Sequence, residues 1–238
     1  MTTTAVFGST GFVGSHILST LLGLDSVKAV HTVSRRAPKA EGSKLSAHVE
    51  GDNSKWTTAL SSIAPPPEVV YSSVGTTRVA AGGIANQWKI DHDLNVEIAK
   101  AAKASGVKTF VFISSGGTRG FLADRVPYSQ MKQGVEDTIQ SLGFEQAIIV
   151  RPGFILGERE AGPKHATTIA HTIVDAMPGM FKDKIGQHAS VIGRAAVNAA
   201  VLAQQGKAPS KYWVIEQADV LKLGRDDYKL DSEAKPTA

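Results

Sequence analysis

The chain has no cysteine among its 238 residues. That excludes disulfides, thiolate nucleophiles and sulfur-based metal sites, and it fits a reducing compartment. Any redox chemistry must therefore use a borrowed cofactor. The 7 histidines are dispersed, with no pair at His-x-x-x-His spacing, so no metal site is expected. Aromatic residues make up only 6%, and the three tryptophans, Trp56, Trp88 and Trp213, read as packing residues. No apolar run approaches the roughly 20 residues of a membrane span. With a first strand beginning near Ala5, no signal or transit peptide is expected ahead of it. Basic residues exceed acidic ones by a net charge of only +4, and they form no basic run. Nucleic-acid binding is not expected, whereas a small phosphate-bearing ligand suits that balance.

What is present is an ordinary globular composition, 42% hydrophobic and 20% charged, with no linker-like stretch dividing it. The chain reads as one domain. Its most informative stretch comes first. The apolar run Ala5-Val6-Phe7 passes through Gly8-Ser9-Thr10-Gly11-Phe12-Val13-Gly14 into a helical pattern carrying Val13, Ile17, Leu18, Leu21 and Leu22. Glycines in such a turn let backbone N–H groups meet a diphosphate with no Cβ in the way, and the helix N-terminus adds partial positive charge. A second strand over residues 27–33 completes a β-helix-β unit, the setting in which a spaced-glycine motif signifies a dinucleotide cradle.

After that second strand, a site for the unphosphorylated ribose usually carries an acid. This chain has Ser34, Arg35 and Arg36 instead. An arginine fork holds a 2′-phosphate that a carboxylate would repel, so NADP(H) is the expected cofactor. A third strand is read over residues 47–52, where Asp52 accepts from an adenine amine or caps the next turn, and a crossover helix over 55–63. Strand patterns follow at 69–75, 109–115, 147–150 and 212–215. Helices are expected at 88–105, 127–141, 166–176 and 191–205, and a frayed tail beyond Gly224. The alternation predicts an α/β fold, a doubly wound parallel sheet, with residues 152–223 contributing a small C-terminal substrate side. The loop Thr76-Thr77-Arg78 offers Thr76 and Arg78 to a substrate, and Arg159 is a third candidate.

The second anchor is Tyr128-Ser129-Gln130-Met131-Lys132, opened by Pro127 at a helix start. A tyrosine and a lysine four apart share one helical face. Positive charge beside a phenol favours its ionised form, which makes the pair a candidate proton donor and acceptor. Ser115 ends the preceding strand on the same rim, where its hydroxyl can donate to a substrate carbonyl.

Together Gly8-x-x-Gly11-x-x-Gly14, Ser115, Tyr128 and Lys132 make the chain resemble the short-chain dehydrogenase/reductase superfamily, in its extended or atypical branch. More closely, Val74-Gly75-Thr76-Thr77-Arg78, Phe112-Ile113-Ser114-Ser115, Tyr128-x-x-x-Lys132-Gln133-Gly134-Val135-Glu136 and Val150-Arg151-Pro152-Gly153 resemble the Tat-interacting-protein-like oxidoreductases. The resemblance, from about Ala5 to Val201, implies a Rossmann-like NAD(P)-binding domain and an NADPH-dependent reductase of a small carbonyl substrate. It implies that Tyr128 is the general acid/base, that Lys132 is its electrostatic partner and ribose anchor, and that Ser115 binds the carbonyl. Ser73, Val74, Gly75, Pro152 and Gly153 then join the cofactor site. The asparagine that many members carry on the central helix is replaced by Asp91. Asn95, one turn on, reads as a surface or capping residue, or else as the substitute for that asparagine. The resemblance further implies a homodimer and a cytosolic protein with peripheral association at the mitochondrial outer membrane. Two other functions stay open: an epimerase or dehydratase that returns its nucleotide unchanged, and a non-catalytic NADPH-sensing partner-binding protein.

Overall fold

The computed structural model describes residues 2–157 and 186–229. Seven strands, all paired in parallel, form the central sheet in the order β3-β2-β1-β4-β5-β6-β9. They are β1 (Thr2–Phe7), β2 (Val27–Ser34), β3 (Leu45–Val49), β4 (Val69–Ser72), β5 (Thr109–Ile113), β6 (Gln146–Val150) and β9 (Tyr212–Ile215). Parallel neighbours require crossovers, and these are α1 (Phe12–Leu22), α2 (Trp56–Ser61), the run α3 (Ile84–Trp88), a π turn (Lys89–Asp93) and α4 (Leu94–Ala104), then α5 (Pro127–Leu142) and α6 (Ala189–Gln204). A short helix α7 (Gln217–Leu221) and a second π turn (Lys222–Asp226) follow β9. β7 (Phe154–Leu156) and β8 (Gly186–His188) pair separately.

The strand side chains alternate between two cores, as a pleat with period two demands. Val6, Val30, Tyr71, Val111, Ile113, Ile148 and Val150 point toward α1 and α6, where Ile17, Leu18, Ile192 and Val197 meet them. Ala5, Phe7, Val33, Val70, Phe110, Phe112 and Ile149 point the other way, against Trp56, Leu60, Ile98, Val135 and Ile139 from α2, α4 and α5. Both faces are dry, which is why β5 reads as a continuous apolar run. This is the doubly wound Rossmann arrangement, whose strand order reverses between β1 and β4. Ligands in such sheets bind outside the carboxyl ends of the strands at that switch point, here just beyond Phe7 and its register partner Ser72.

Several boundaries differ from the sequence expectation. The ladders end at Val49, Ser72 and Ile113, and the extended residues expected to continue them leave the sheet to build its carboxyl rim. The central helix begins at Ile84, ahead of the expected Trp88, because its first turn buries the polar Gln87, which carries no apolar signal. The tail expected to fray beyond Gly224 is ordered at its start, where Leu223 and Gly224 are buried, Asn198 Nδ2 donates to the Leu223 carbonyl at 2.9 Å and helical structure runs to Asp226, and residues 230–238 lie outside the described residues. The expected helix at 166–176 lies outside the described residues. No helix among them is long and apolar enough to cross a membrane.

Candidate active site

The glycine turn occupies the switch point. Gly8 has φ +78°, a conformation that glycine adopts at little cost, and a Cβ there would lie 2.9 Å from the backbone carbonyl of Ser73. Gly14 packs the first turn of α1 directly on the Gly8 carbonyl and Ser73 Oγ, space that any side chain would fill. Ser73 closes the other wall, its N–H and Oγ donating to the Phe7 carbonyl at 3.1 and 3.0 Å. The first intrahelical bond runs from Ser15 N–H to the Gly11 carbonyl at 3.0 Å, so the N–H groups of Val13 and Gly14 have no acceptor within the helix. No side chain caps that end and no acid sits in its first turn. Ser9 Oγ is buried there without a hydrogen-bond partner. An open helix N-terminus, a cradle that Cβ atoms would fill and an orphaned hydroxyl fit the diphosphate of a dinucleotide.

At the end of β2, Ser34 is buried and its Oγ donates to the Arg36 carbonyl at 2.7 Å, which folds the chain back and leaves Arg35 and Arg36 exposed. Asp52 takes the capping role: its Oδ1 accepts from Ser54 N–H at 3.0 Å and Ser54 Oγ at 2.7 Å. These two hydrogen bonds hold its carboxyl below the usual range. Next to it, Asn53 Oδ1 is buried without a partner, an acceptor that no motif in the sequence marks.

The rim beyond β4 is organised by two buried polar side chains of the central helix. Asp91, in the π turn, is 1% exposed, and its Oδ2 accepts from Thr76 N–H at 2.9 Å. Burial raises its carboxyl above the ordinary range, opposed by the charge of Lys132 and by the Thr76 hydrogen bond. Asn95 is neither a surface nor a capping residue. It is fully buried, its Oδ1 accepting from Ser72 Oγ at 2.6 Å, while Nδ2 faces the carbonyls of Val74 (3.2 Å), Ile90 (3.0 Å) and Asp91 (3.2 Å). A π turn releases carbonyls from the helical ladder, and the Asn95 amide takes up two of them while tying down the strand exit. Arg78 is exposed on the loop beyond. Arg159 lies outside the described residues.

The catalytic candidates lie around the β5 exit and the start of α5. Lys132 is 4% exposed, and its Nζ donates to the Ile113 carbonyl at 3.2 Å. The ammonium also lies 4.8 Å from the centre of the Phe112 ring and 5.9 Å from that of Tyr128. Tyr128, at the start of α5 after Pro127, is the exposed member, its ring open to the rim at 36% exposure. Ser115 follows Ile113 by two residues and is half-buried. The next residue anchors it: Gly116 N–H donates to the Pro152 carbonyl at 2.6 Å, and Gly153 N–H donates to Gln187 Oε1 at 2.7 Å. Ser115, Tyr128, Lys132, Pro152 and Gly153 thus belong to one edge of the sheet, two strands from the glycine turn.

A family model described as the NAD dependent epimerase/dehydratase family matches residues 4–185. The chain belongs to that family. Within it, the chain is 59% identical over 230 residues to "Protein fmp52-2, mitochondrial" of Aspergillus terreus, covering 96% of this chain and 100% of that one. It is 58% identical to "Protein fmp-52, mitochondrial" of Neurospora crassa, over 96% and 97% of the two chains. Among solved structures, the UDP-Glc/GlcNAc 4-epimerase from Campylobacter jejuni superposes with a TM-score of 0.67 at 13% identity, covering 93% of this chain and 82% of that one. MoeE5 in complex with UDP-glucose and NAD gives 0.66 at 18% identity, over 90% and 75%. At such low identity these two share the fold with this chain.

Proposed function

We propose that this protein is an NADP(H)-dependent oxidoreductase that reduces a small carbonyl compound. The observation that carries the reading is the buried Lys132 ammonium, held between the Ile113 carbonyl and the Tyr128 ring at the rim where Ser115 leaves the sheet. Ser9 to Gly14 and Ser73 to Gly75 would hold the diphosphate side of the dinucleotide, and Arg35 and Arg36 its 2′-phosphate. When bound, the nicotinamide supplies the hydride. The chain supplies the rest. Ser115 donates a hydrogen bond to the carbonyl oxygen, Tyr128 delivers its phenolic proton to that oxygen, and Lys132 stabilises the negative charge left on the tyrosine. The fmp52 relatives are named mitochondrial, and we extend that location to this protein, as a peripheral association with the outer membrane.

Tyr128→Phe tests the chemistry. Turnover, read as NADPH consumption across a panel of aldehydes and ketones, should fall about 10²–10⁴-fold while NADPH binding is unchanged. Unchanged turnover refutes the assignment. The family match favours a second reading, an epimerase or dehydratase that returns its nucleotide unaltered. That activity would transform substrate with no net change in nicotinamide absorbance.

A further inference from the structure

One turn beyond Lys132 on α5 sits a carboxylate that the proposed chemistry leaves unused. Glu136 is fully buried. Its Oε1 accepts from Ser114 Oγ at 2.5 Å and from Arg151 Nε at 3.1 Å, and its Oε2 accepts from Arg151 Nη2 at 2.6 Å and Arg119 Nε at 3.1 Å. Burial would raise this carboxyl, yet the hydrogen bonds from Arg151 and Ser114 hold it below its ordinary range. Arg151 reaches on to Glu216 Oε1 at 2.8 Å, and Arg119 also pairs with Asp137. Three side chains, Ser114, Arg119 and Arg151, donate to the carboxylate itself, and Glu216 joins through Arg151. Ser114 is the first residue after β5, Arg151 the first after β6, Glu216 the first after β9, and Arg119 belongs to the loop between β5 and α5.

The arrangement is costly if stability is its only purpose. A buried charge cluster forfeits hydration that well-packed apolar residues would not have needed. What the cluster does achieve is geometric. Lys132 holds the carbonyl of Ile113 and Glu136 holds the hydroxyl of Ser114, so two consecutive residues of the β5 exit are clamped by two side chains a helical turn apart. The next residue is Ser115, and the next helical turn back carries Tyr128.

We propose that Glu136 is a positioning residue, which through Ser114 and its Arg151 and Arg119 counter-ions fixes the Ser115 hydroxyl against the Tyr128 and Lys132 face of α5. The proposal rests on the reading of Ser115 and Tyr128 as the reacting groups. Glu136→Gln is the obvious variant, but it leaves two arginines facing a neutral amide and endangers folding. Ser114→Ala is the decisive one, since it removes a single hydrogen bond and leaves the ion pairs in place.

The full-length protein and its Ser114→Ala, Glu136→Gln and Tyr128→Phe variants are compared by hydrogen–deuterium exchange, NADPH titration and NADPH-dependent reduction of phenanthrenequinone. A hydroxyl-to-carboxylate hydrogen bond corresponds to about tenfold or more in a local equilibrium. In Ser114→Ala, exchange across residues 114–117 should therefore rise about tenfold, and kcat should fall by a similar factor. KM, the NADPH dissociation constant and exchange elsewhere in the sheet should stay unchanged. Unaltered exchange at 114–117 overturns the proposal, as does acceleration spread over the whole sheet with a matching drop in Tm, the mark of a purely structural cluster. If Tyr128→Phe retains turnover, or the unmodified protein does not reduce the probe, the catalytic reading fails separately, and the exchange data still decide the positioning.

Discussion

Alanine at Gly8 is the sharpest test of the cradle, because two independent penalties fall on one methyl group. The backbone has φ +78°, and placing a Cβ in that left-handed region costs about 1–2 kcal/mol. The methyl would also lie 2.9 Å from the carbonyl carbon, the carbonyl oxygen and the Oγ of Ser73. Ser73 cannot yield freely, since its N–H and Oγ are both bonded to the Phe7 carbonyl. Such overpacking costs about 1–3 kcal/mol more. The sum, about 2–5 kcal/mol, is a large part of the ~5–15 kcal/mol that holds a typical domain folded. For a chain of this length, each kcal/mol shifts Tm by about 2–4 °C, so thermal unfolding should occur about 4–20 °C below the unmodified protein. Gly11→Ala supplies the contrast: its φ is −85° and its nearest contact is the Gly8 carbonyl at 3.1 Å, so it should lose less Tm and show its effect in NADPH affinity. Gly51→Ala, with nothing within 4 Å, should match the unmodified protein in both assays. The reasoning fails if Gly8→Ala melts with Gly51→Ala.

The paired change Arg35→Ala and Arg36→Ala should weaken NADPH binding far more than NADH binding in calorimetric titrations, and equal weakening would remove the 2′-phosphate assignment. Asp91 titrates the wrong way for a stabilising carboxylate, since its folded pKa lies above its unfolded one. The stability it confers is present below the unfolded value, near pH 4, and is lost as the pH rises through the folded value. Asp91→Asn, which keeps an acceptor for Thr76 N–H, should therefore gain Tm relative to the unmodified protein as the pH rises from about 4, and a pH-independent difference would show that Asp91 carries no such penalty. Asn95→Leu strips the partner from Ser72 Oγ and from three carbonyls, at a cost of about 1–3 kcal/mol for each group left unsatisfied. Loss of at least that much in urea unfolding is expected, and a neutral result would mean that water replaces the amide.

The sheet was legible because its strands are apolar on both faces and its crossovers carry an amphipathic stripe, so alternation alone implied parallel pairing. The glycine turn was legible for a related reason: its pattern, Gly8, Gly11 and Gly14 between a strand and a helix, is local, although Ser73 supplies its other wall. Strand ends were not. Ser73 to Gly75, Ser114 and Ser115 continue the strand patterns read at 69–75 and 109–115, and the bonds that fix them at the rim come from Asn95, Glu136 and, through Gly116, Pro152, distant in sequence.

The buried polar residues share that difficulty in a stronger form. Asn95 reads as a surface or capping residue because the expected stripe of Ile90, Leu94 and Ile98 is apolar, and polar side chains at Asp91 and Asn95 give no sign of burial. Asp91, Leu94, Asn95 and Ile98 follow i, i+3, i+4 and i+7 spacing, so the two polar side chains share the inward face and meet Thr76 and Ser72. Glu136 was hidden differently. Its spacing from Tyr128 and Lys132, eight and four residues on, already placed it on the face that meets β5. What the spacing could not supply was Arg151, one strand away, without which a buried glutamate at that position is too costly to expect. A buried carboxylate on the face of α5 that carries Tyr128 and Lys132 becomes intelligible only once the β5 and β6 exits are seen to end on it.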